Sequence, residues 1–106
     1  MAARIQVPTN AKTGDVIEIR VLIQHPMETG YRVDDTGRNI PRNTIRSFAC
    51  TYNGEEIFRA DLSSGVSANP YLQFTTIAQG SGIIECTWID DTGKRESEQH
   101  PIQVLG

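Results

Sequence analysis

The sequence predicts an all-β protein, an immunoglobulin-like β-sandwich of about seven antiparallel strands, in a single domain over residues 1–106. Three observations carry this expectation. Apolar residues alternate with polar ones at period two, turn residues interrupt the chain at short spacing, and no segment shows a sustained helical stripe.

The elements follow in order. Ile17, Ile19, Val21 and Ile23 alternate with Glu18, Arg20 and Gln24, as a strand with one buried face requires. Val16 and Leu22 fall on the opposite face, so that face is expected to be partly covered by a loop or by another chain. Phe48, Cys50 and Tyr52 form a second apolar row. Asn53-Gly54 then suits a two-residue type I′ hairpin, because both central residues need positive φ. The returning strand is Glu56–Ala60. Leu72 and Phe74 give a shorter row, linked through Gln79-Gly80-Ser81-Gly82 to a row of Ile84, Cys86 and Trp88. Asp91-Thr92-Gly93 makes another hairpin into Lys94–Val104, with Gly93 suited to a left-handed position. Pro101 lies within that last strand and lacks a ladder donor, so the strand should be an edge or carry a bulge there. The connection from His25 to Asn43 is long for a sandwich, and structureless loops of such length are usually functional. A small hairpin with Asp35-Thr36-Gly37-Arg38 as its turn fits inside it.

Composition narrows the function classes. Ten Lys and Arg against thirteen Asp and Glu give a net charge of −3 and a pI near 5.3. A mildly acidic surface disfavours a phosphate backbone, so no nucleic-acid partner is expected. No apolar run approaches the ~18 residues of a membrane span. The first residues, Met1 to Pro8, contain no apolar export region, so the chain is expected to carry no signal peptide of its own.

Reactive chemistry finds little support. Cys50 and Cys86 lie on inward rows of strands expected to be neighbours. They are either two packed thiols or a disulfide worth roughly 4 kcal/mol, and facing cysteines within a sheet do not always suit a bond. His25, His100, Met27 and the cysteines show no CxxC, HxH or HExxH spacing, so no metal or other cofactor is expected. Cys50 with His25 is the one nucleophile–base pair worth testing. An inward thiol in apolar surroundings is unreactive, and no catalytic role is expected. Asp34-Asp35 and Asp90-Asp91 read as turn residues, since neighbours along a strand point to opposite faces.

The remaining candidates concern protein contact. His25, Pro26, Met27 and Tyr31 in the long connection, with Asn69, Pro70 and Tyr71 in a second turn, are candidate partner-binding residues. Val16 and Leu22 with the Met27/Tyr31 loop would leave an apolar patch on the isolated chain. The alternative is that Met27 and Tyr31 fold back to cap the end of the sandwich.

The strings Leu22-Ile23-Gln24-His25-Pro26-Met27-Glu28-Thr29-Gly30, Ile40-Pro41-Arg42-Asn43, Thr51-Tyr52-Asn53-Gly54-Glu55-Glu56, Phe58-Arg59-Ala60-Asp61-Leu62, Ala68-Asn69-Pro70-Tyr71-Leu72 and Thr87-Trp88-Ile89-Asp90-Asp91 together resemble the SoxZ family. This family supplies one subunit of the SoxYZ carrier of bacterial thiosulfate (sulfur) oxidation. The resemblance implies a noncatalytic role and a heterodimer with SoxY, with higher assembly left open. SoxY bears sulfur intermediates covalently on a C-terminal, glycine-flanked cysteine. The present sequence ends Pro101-Ile102-Gln103-Val104-Leu105-Gly106 without such an arm and is expected not to be the covalent carrier itself. The resemblance also implies transient docking to sulfur-oxidation enzymes and a periplasmic location reached by co-export with a signal-bearing partner. The competing expectation is an unrelated immunoglobulin-like protein-binding module, a class that usually carries an export signal.

Overall fold

Alternating side chains can be buried on one face only if a second layer covers that face, and the computed structural model shows how this chain does it. The structure describes residues 3–62, 66 and 68–106. Its strands are β1 (Ala3–Gln6), β2 (Asn10–Lys12), β3 (Val16–Ile23), β4 (Ile45–Tyr52), β5 (Glu55–Asp61), β6 (Tyr71–Ile77), β7 (Gly82–Asp90) and β8 (Arg95–Leu105). They form a three-stranded sheet, β1-β3-β6, and a five-stranded sheet, β2-β8-β7-β4-β5. The all-β sandwich is therefore as expected, with eight strands and one parallel neighbour pair, β2 with β8, among the described residues. The two short first strands are the ones that the sequence pattern does not name. At four and three residues they are too brief for alternation to show, and between them the chain crosses from one sheet to the other at Val7-Pro8-Thr9.

The inward rows meet as their spacing dictates. Ile17, Ile19, Val21 and Ile23 of β3 face Phe48, Cys50, Ile84, Cys86 and Trp88, all buried. Each such large apolar side chain contributes about 1.5–3 kcal/mol by leaving water. Phe48, Phe58 and Phe74 join the sheets through ring contacts, with Phe58 stacked on Phe74 at 4.3 Å. Cys50 and Cys86 are register partners across β4 and β7, fully buried and unbonded, with sulfurs 3.5 Å apart. Of the two readings of the cysteines, the packed thiols are the ones present.

Turn chemistry sets the register. Asn53 and Gly54 have φ of 51° and 84°, the pair of left-handed residues a type I′ turn needs. The Tyr52 hydroxyl accepts the N–H groups of Gln79 and Gly80 and donates to the Gly80 carbonyl, fixing the β6–β7 connection. Gly93 sits at φ 85° and closes the last hairpin on the Asp90 carbonyl. Pro101 is accommodated at an open edge. Asn53 N–H donates to the Ile83 carbonyl, so Ile83 turns its polar groups toward β4 rather than toward Pro101, its register partner on β8. The proline nitrogen consequently faces outward, where β2 covers only Gln103–Leu105.

The molecule measures 60 × 22 × 19 Å with a radius of gyration of 16.2 Å. A compact chain of this length would have a radius near ~13 Å. Within the connection between β3 and β4, residues 31–39 are all exposed.

Candidate interaction surface

The end of the sandwich where β3 stops is built from three segments distant in sequence. After Ile23 the chain enters the long connection, and Ile23 N–H donates to the Pro70 carbonyl. His25 and Asn69 then bond reciprocally. His25 N–H donates to Asn69 Oδ1, and Asn69 N–H donates to the His25 carbonyl. Asn69 can do this because it adopts φ 54°, a conformation asparagine tolerates better than most residues.

The His25 ring locks the next turn. Its Nδ1 accepts Met27 N–H at 3.0 Å, which leaves the proton of the neutral ring on Nε2. Nε2 points at Asp90 Oδ2 from 3.5 Å, a loose electrostatic contact rather than a good hydrogen bond. Asp90 also accepts bonds from Thr92 N–H, Thr92 hydroxyl and Lys94 N–H. Burial opposes its ionisation, but the bonds from Thr92 and Lys94 and the nearby His25 prevail and hold its carboxyl below the usual carboxylate range. Its neighbour Asp91 clamps the other end of the connection. Asp91 Oδ2 accepts both N–H and hydroxyl of buried Thr44 at 2.8 Å, and Asp91 N–H returns a bond to the Thr44 carbonyl. These bonds, with Arg42 and Arg46 nearby, lower the Asp91 pKa.

Beyond this root the connection forms a two-stranded arm. Glu28 and Asn43 exchange backbone bonds, Ile40 N–H donates to the Arg32 carbonyl, and Val33 bridges Asn39. Asp34 closes the tip by accepting from Thr36 and Arg38, so the small expected hairpin is present with its turn at Asp34–Gly37. Gly30 permits the close packing of the arm, since φ is +92° and a Cβ there would lie 3.3 Å from the Arg42 Cβ.

The outer face of β1-β3-β6 is not covered by any of the described residues. Leu22 is 41% and Tyr71 54% exposed, and they are direct cross-strand partners with Arg4 beside Leu22. At the far end Val16 (68%) pairs with Ile77 (47%). Between them Glu18, Arg20 and Gln73 form a polar belt. The expected partial apolar character of this face is thus present, at its two ends.

The sequence candidates divide. His25, Pro26, Asn69, Pro70 and Tyr71 converge at one end of the molecule, Pro26, Asn69 and Tyr71 exposed, His25 largely enclosed and Pro70 buried. Tyr31 stands on the arm at 88% exposure. Met27 requires correction as a surface residue. It is 4% exposed, because φ of 51° turns its side chain under the connection, where its sulfur accepts Ile45 N–H at 3.3 Å. Of the alternatives, Met27 folds back and Tyr31 does not. Sequence reasoning gave Asp90 and Asp91 to a turn and missed their grip on His25 and Thr44. The pairing of β4 with β7 brings Thr44 to Asp91, and His25 reaches Asp90 from the end of β3 in the other sheet. Among the described residues no three His, Cys, Asp or Glu side chains converge as a metal site, and no helix is long and apolar enough to cross a membrane.

Known structures share this architecture. The superoxide reductase (neelaredoxin) from Ignicoccus hospitalis superposes with a TM-score of 0.76 at 18% identity, covering 99% of this chain and 81% of that one. A crystal structure of a putative superoxide reductase from Thermotoga maritima gives 0.74 at 17%, covering 98% and 86%. The sulfur carrier protein SoxY from Chlorobium limicola f thiosulfatophilum gives 0.71 at 11%, covering 100% and 81%. At such identities the likeness is one of fold. No curated protein is significantly similar to the chain in sequence. The family model of the sulphur oxidation protein SoxZ matches residues 5–101, nearly the whole chain, and the protein belongs to the SoxZ family.

Proposed function

We propose that the chain is the noncatalytic subunit of a periplasmic SoxYZ carrier complex. It pairs with SoxY, and the sulfur intermediates of thiosulfate oxidation ride on the SoxY cysteine. Family membership supports a place in sulfur oxidation, and the fold shared with a SoxY structure supports a pairing of two like domains. The observation that carries the division of labour is the state of the thiols. Both cysteines of the sequence are fully buried between the sheets. The Cys86 thiol is pushed up by its hydrogen bond to Cys50 and by burial, which suppresses the nucleophilic thiolate. A sulfur-loaded thiol must be reached by several enzymes in turn, so it belongs to the other polypeptide. The exposed outer face and the arm then serve as contact surface, and the periplasm is reached by export together with the partner.

Coexpression with SoxY from the same organism, followed by native mass spectrometry, tests this reading. The expected result is a one-to-one complex in which mass added during sulfur loading resides on SoxY. Loading on Cys50 or Cys86, or failure of the two chains to associate, overturns it.

A further inference from the structure

A strand at the edge of a sheet offers unpaired backbone groups to other chains unless shortness, charge, proline or a bulge prevents pairing. The edge strands here are β1 and β6 in one sheet and β2 and β5 in the other. β1 and β2 have four and three residues. β5 reads Glu55-Glu56-Ile57-Phe58-Arg59-Ala60-Asp61 and is guarded by charge. The stretch of β8 left open by β2 carries Arg95, Glu96, Glu98 and Pro101. β6 has none of these devices. Tyr71-Leu72-Gln73-Phe74-Thr75-Thr76-Ile77 contains no charge, no proline and no glycine, and its register with β3 is unbroken.

The direction of its backbone groups follows from the ladder. Ile23 N–H donates to the Pro70 carbonyl, so the odd residues of β3 turn their polar groups toward β6. Their register partners are Leu72, Phe74 and Thr76. Gln73 and Thr75 therefore present N–H and C=O to the open side, and these groups have no partner among the described residues. The same side is apolar. Phe58 of β5 stacks on Phe74 of β6, so the two edges open together, with Ile57, Phe58 and Leu72 only half-buried between them.

We propose that β6 is a docking edge that receives an uncharged β-strand from the SoxY-type partner, extending the three-stranded sheet across the heterodimer. The inference rests on the function proposed above and names the face that performs it. An edge without charge selects a strand without charge, because a carboxylate or ammonium laid against it would lose water and gain no counterion. A SoxY structure shares this fold over the full length of the chain. Two like edges can meet about a pseudo-twofold axis, as identical subunits do about a true one.

Two variants test the edge. Thr75→Pro removes one outward N–H at a position where an edge strand tolerates proline. Gln73→Lys with Thr75→Lys places charge on the edge and keeps every backbone group. Circular dichroism confirms that each remains folded, and binding to SoxY from the same organism is measured by titration calorimetry and native mass spectrometry. Expected are a one-to-one complex for the unaltered chain and at least about tenfold weaker binding for both variants, the scale of one or more lost hydrogen bonds. The Gln73 and Thr75 amides should also exchange hydrogen at least about tenfold more slowly in the complex. Folded variants that bind like the unaltered chain overturn the docking edge and leave the proposed function standing. An unaltered chain that fails to bind SoxY overturns both. A homodimer dissolved by Thr75→Pro and indifferent to SoxY assigns the edge to a second copy and overturns the stated occupant.

Discussion

Between β3 and β4, Met27 is 4% exposed and Tyr31, in the same connection, is 88% exposed. Both were candidates for the same contact surface, and by side-chain chemistry either could serve. Their backbones separate them. Met27 is held at φ 51° by the His25 ring, and its thioether fills space over Ile45, giving that buried N–H an acceptor. Tyr31 follows Gly30, whose φ of 92° turns the chain outward into the arm. The root of the connection is therefore part of the core, and the arm is a two-stranded ribbon in solvent. A connection that reads as one polar loop contains a folded half and a marginal half.

The largest expected effect lies at the root. Met27→Ser removes a buried thioether, leaves Ile45 N–H without its acceptor and buries a hydroxyl. Together these should cost about 3–5 kcal/mol, a large share of a small domain's stability. Tyr31→Ser should change stability by less than about 0.5 kcal/mol, as exposed substitutions usually do. Urea unfolding of the two variants measures both. Equal shifts in midpoint would show that root and arm are one cooperative unit.

Chemical access should draw the same boundary with a slightly smaller contrast. Cys50 and Cys86 can be alkylated only when the sandwich opens, and Cys86 additionally holds its proton tightly. A cysteine placed by Tyr31→Cys should react with iodoacetamide at least about a thousandfold faster than either native thiol. Fast native modification of Cys50 would break the contrast and, with it, the assignment of the sulfur-bearing thiol to the partner chain.

The fold was legible because the core rows obey period two over long stretches. Ile17 to Ile23, Phe48 to Tyr52 and Ile84 to Trp88 each name their inward residues without help from the rest of the chain. Asn53-Gly54 fixed one hairpin for a local steric reason. The short strands β1 and β2 were not legible, since each is held by a neighbour far along the chain, β3 or β8. The candidate contact residues were half legible. Composition drew attention to His25, Met27, Tyr31, Asn69 and Tyr71, and the bonds between His25 and Asn69 show that the two segments do meet. Which of them faces water depends on φ values at Met27 and Gly30 and on a histidine bond to the next turn, none of which side-chain chemistry encodes.

The clamp at the far end of the connection should have an intermediate effect that depends on pH. Asp91→Ala leaves the N–H of buried Thr44 without its acceptor and should cost about 2 kcal/mol. Because the Asp91 carboxyl sits below its ordinary value in the folded chain, its contribution is complete above the unfolded-state pKa. It is lost as pH falls through the lower folded value. Asp91→Asn should therefore narrow the stability difference between neutral and strongly acidic pH. An unchanged acid limb would place the sensitivity elsewhere, with Asp90 the next candidate.

The smallest effect is expected in the arm. The Glu28–Arg32 ion pair near its base, with the Arg32 side chain 65% exposed, is one that salt screens. A ribbon of two strands without a third is marginal in water. Arg32→Ala should leave the unfolding midpoint where it is. Ile40 N–H, which closes the ribbon on Arg32, should exchange at nearly the rate of a free peptide. Ile45 N–H, capped by the Met27 sulfur in the core, should exchange only when the whole domain unfolds. Equal protection of the two amides would mean that the arm is ordered by something other than the bonds it makes to itself. On binding a partner that uses the arm, Ile40 should slow while Ile45, already limited by global unfolding, follows only the gain in overall stability. The pair of amides thus separates a surface that engages its partner from one that merely happens to be exposed.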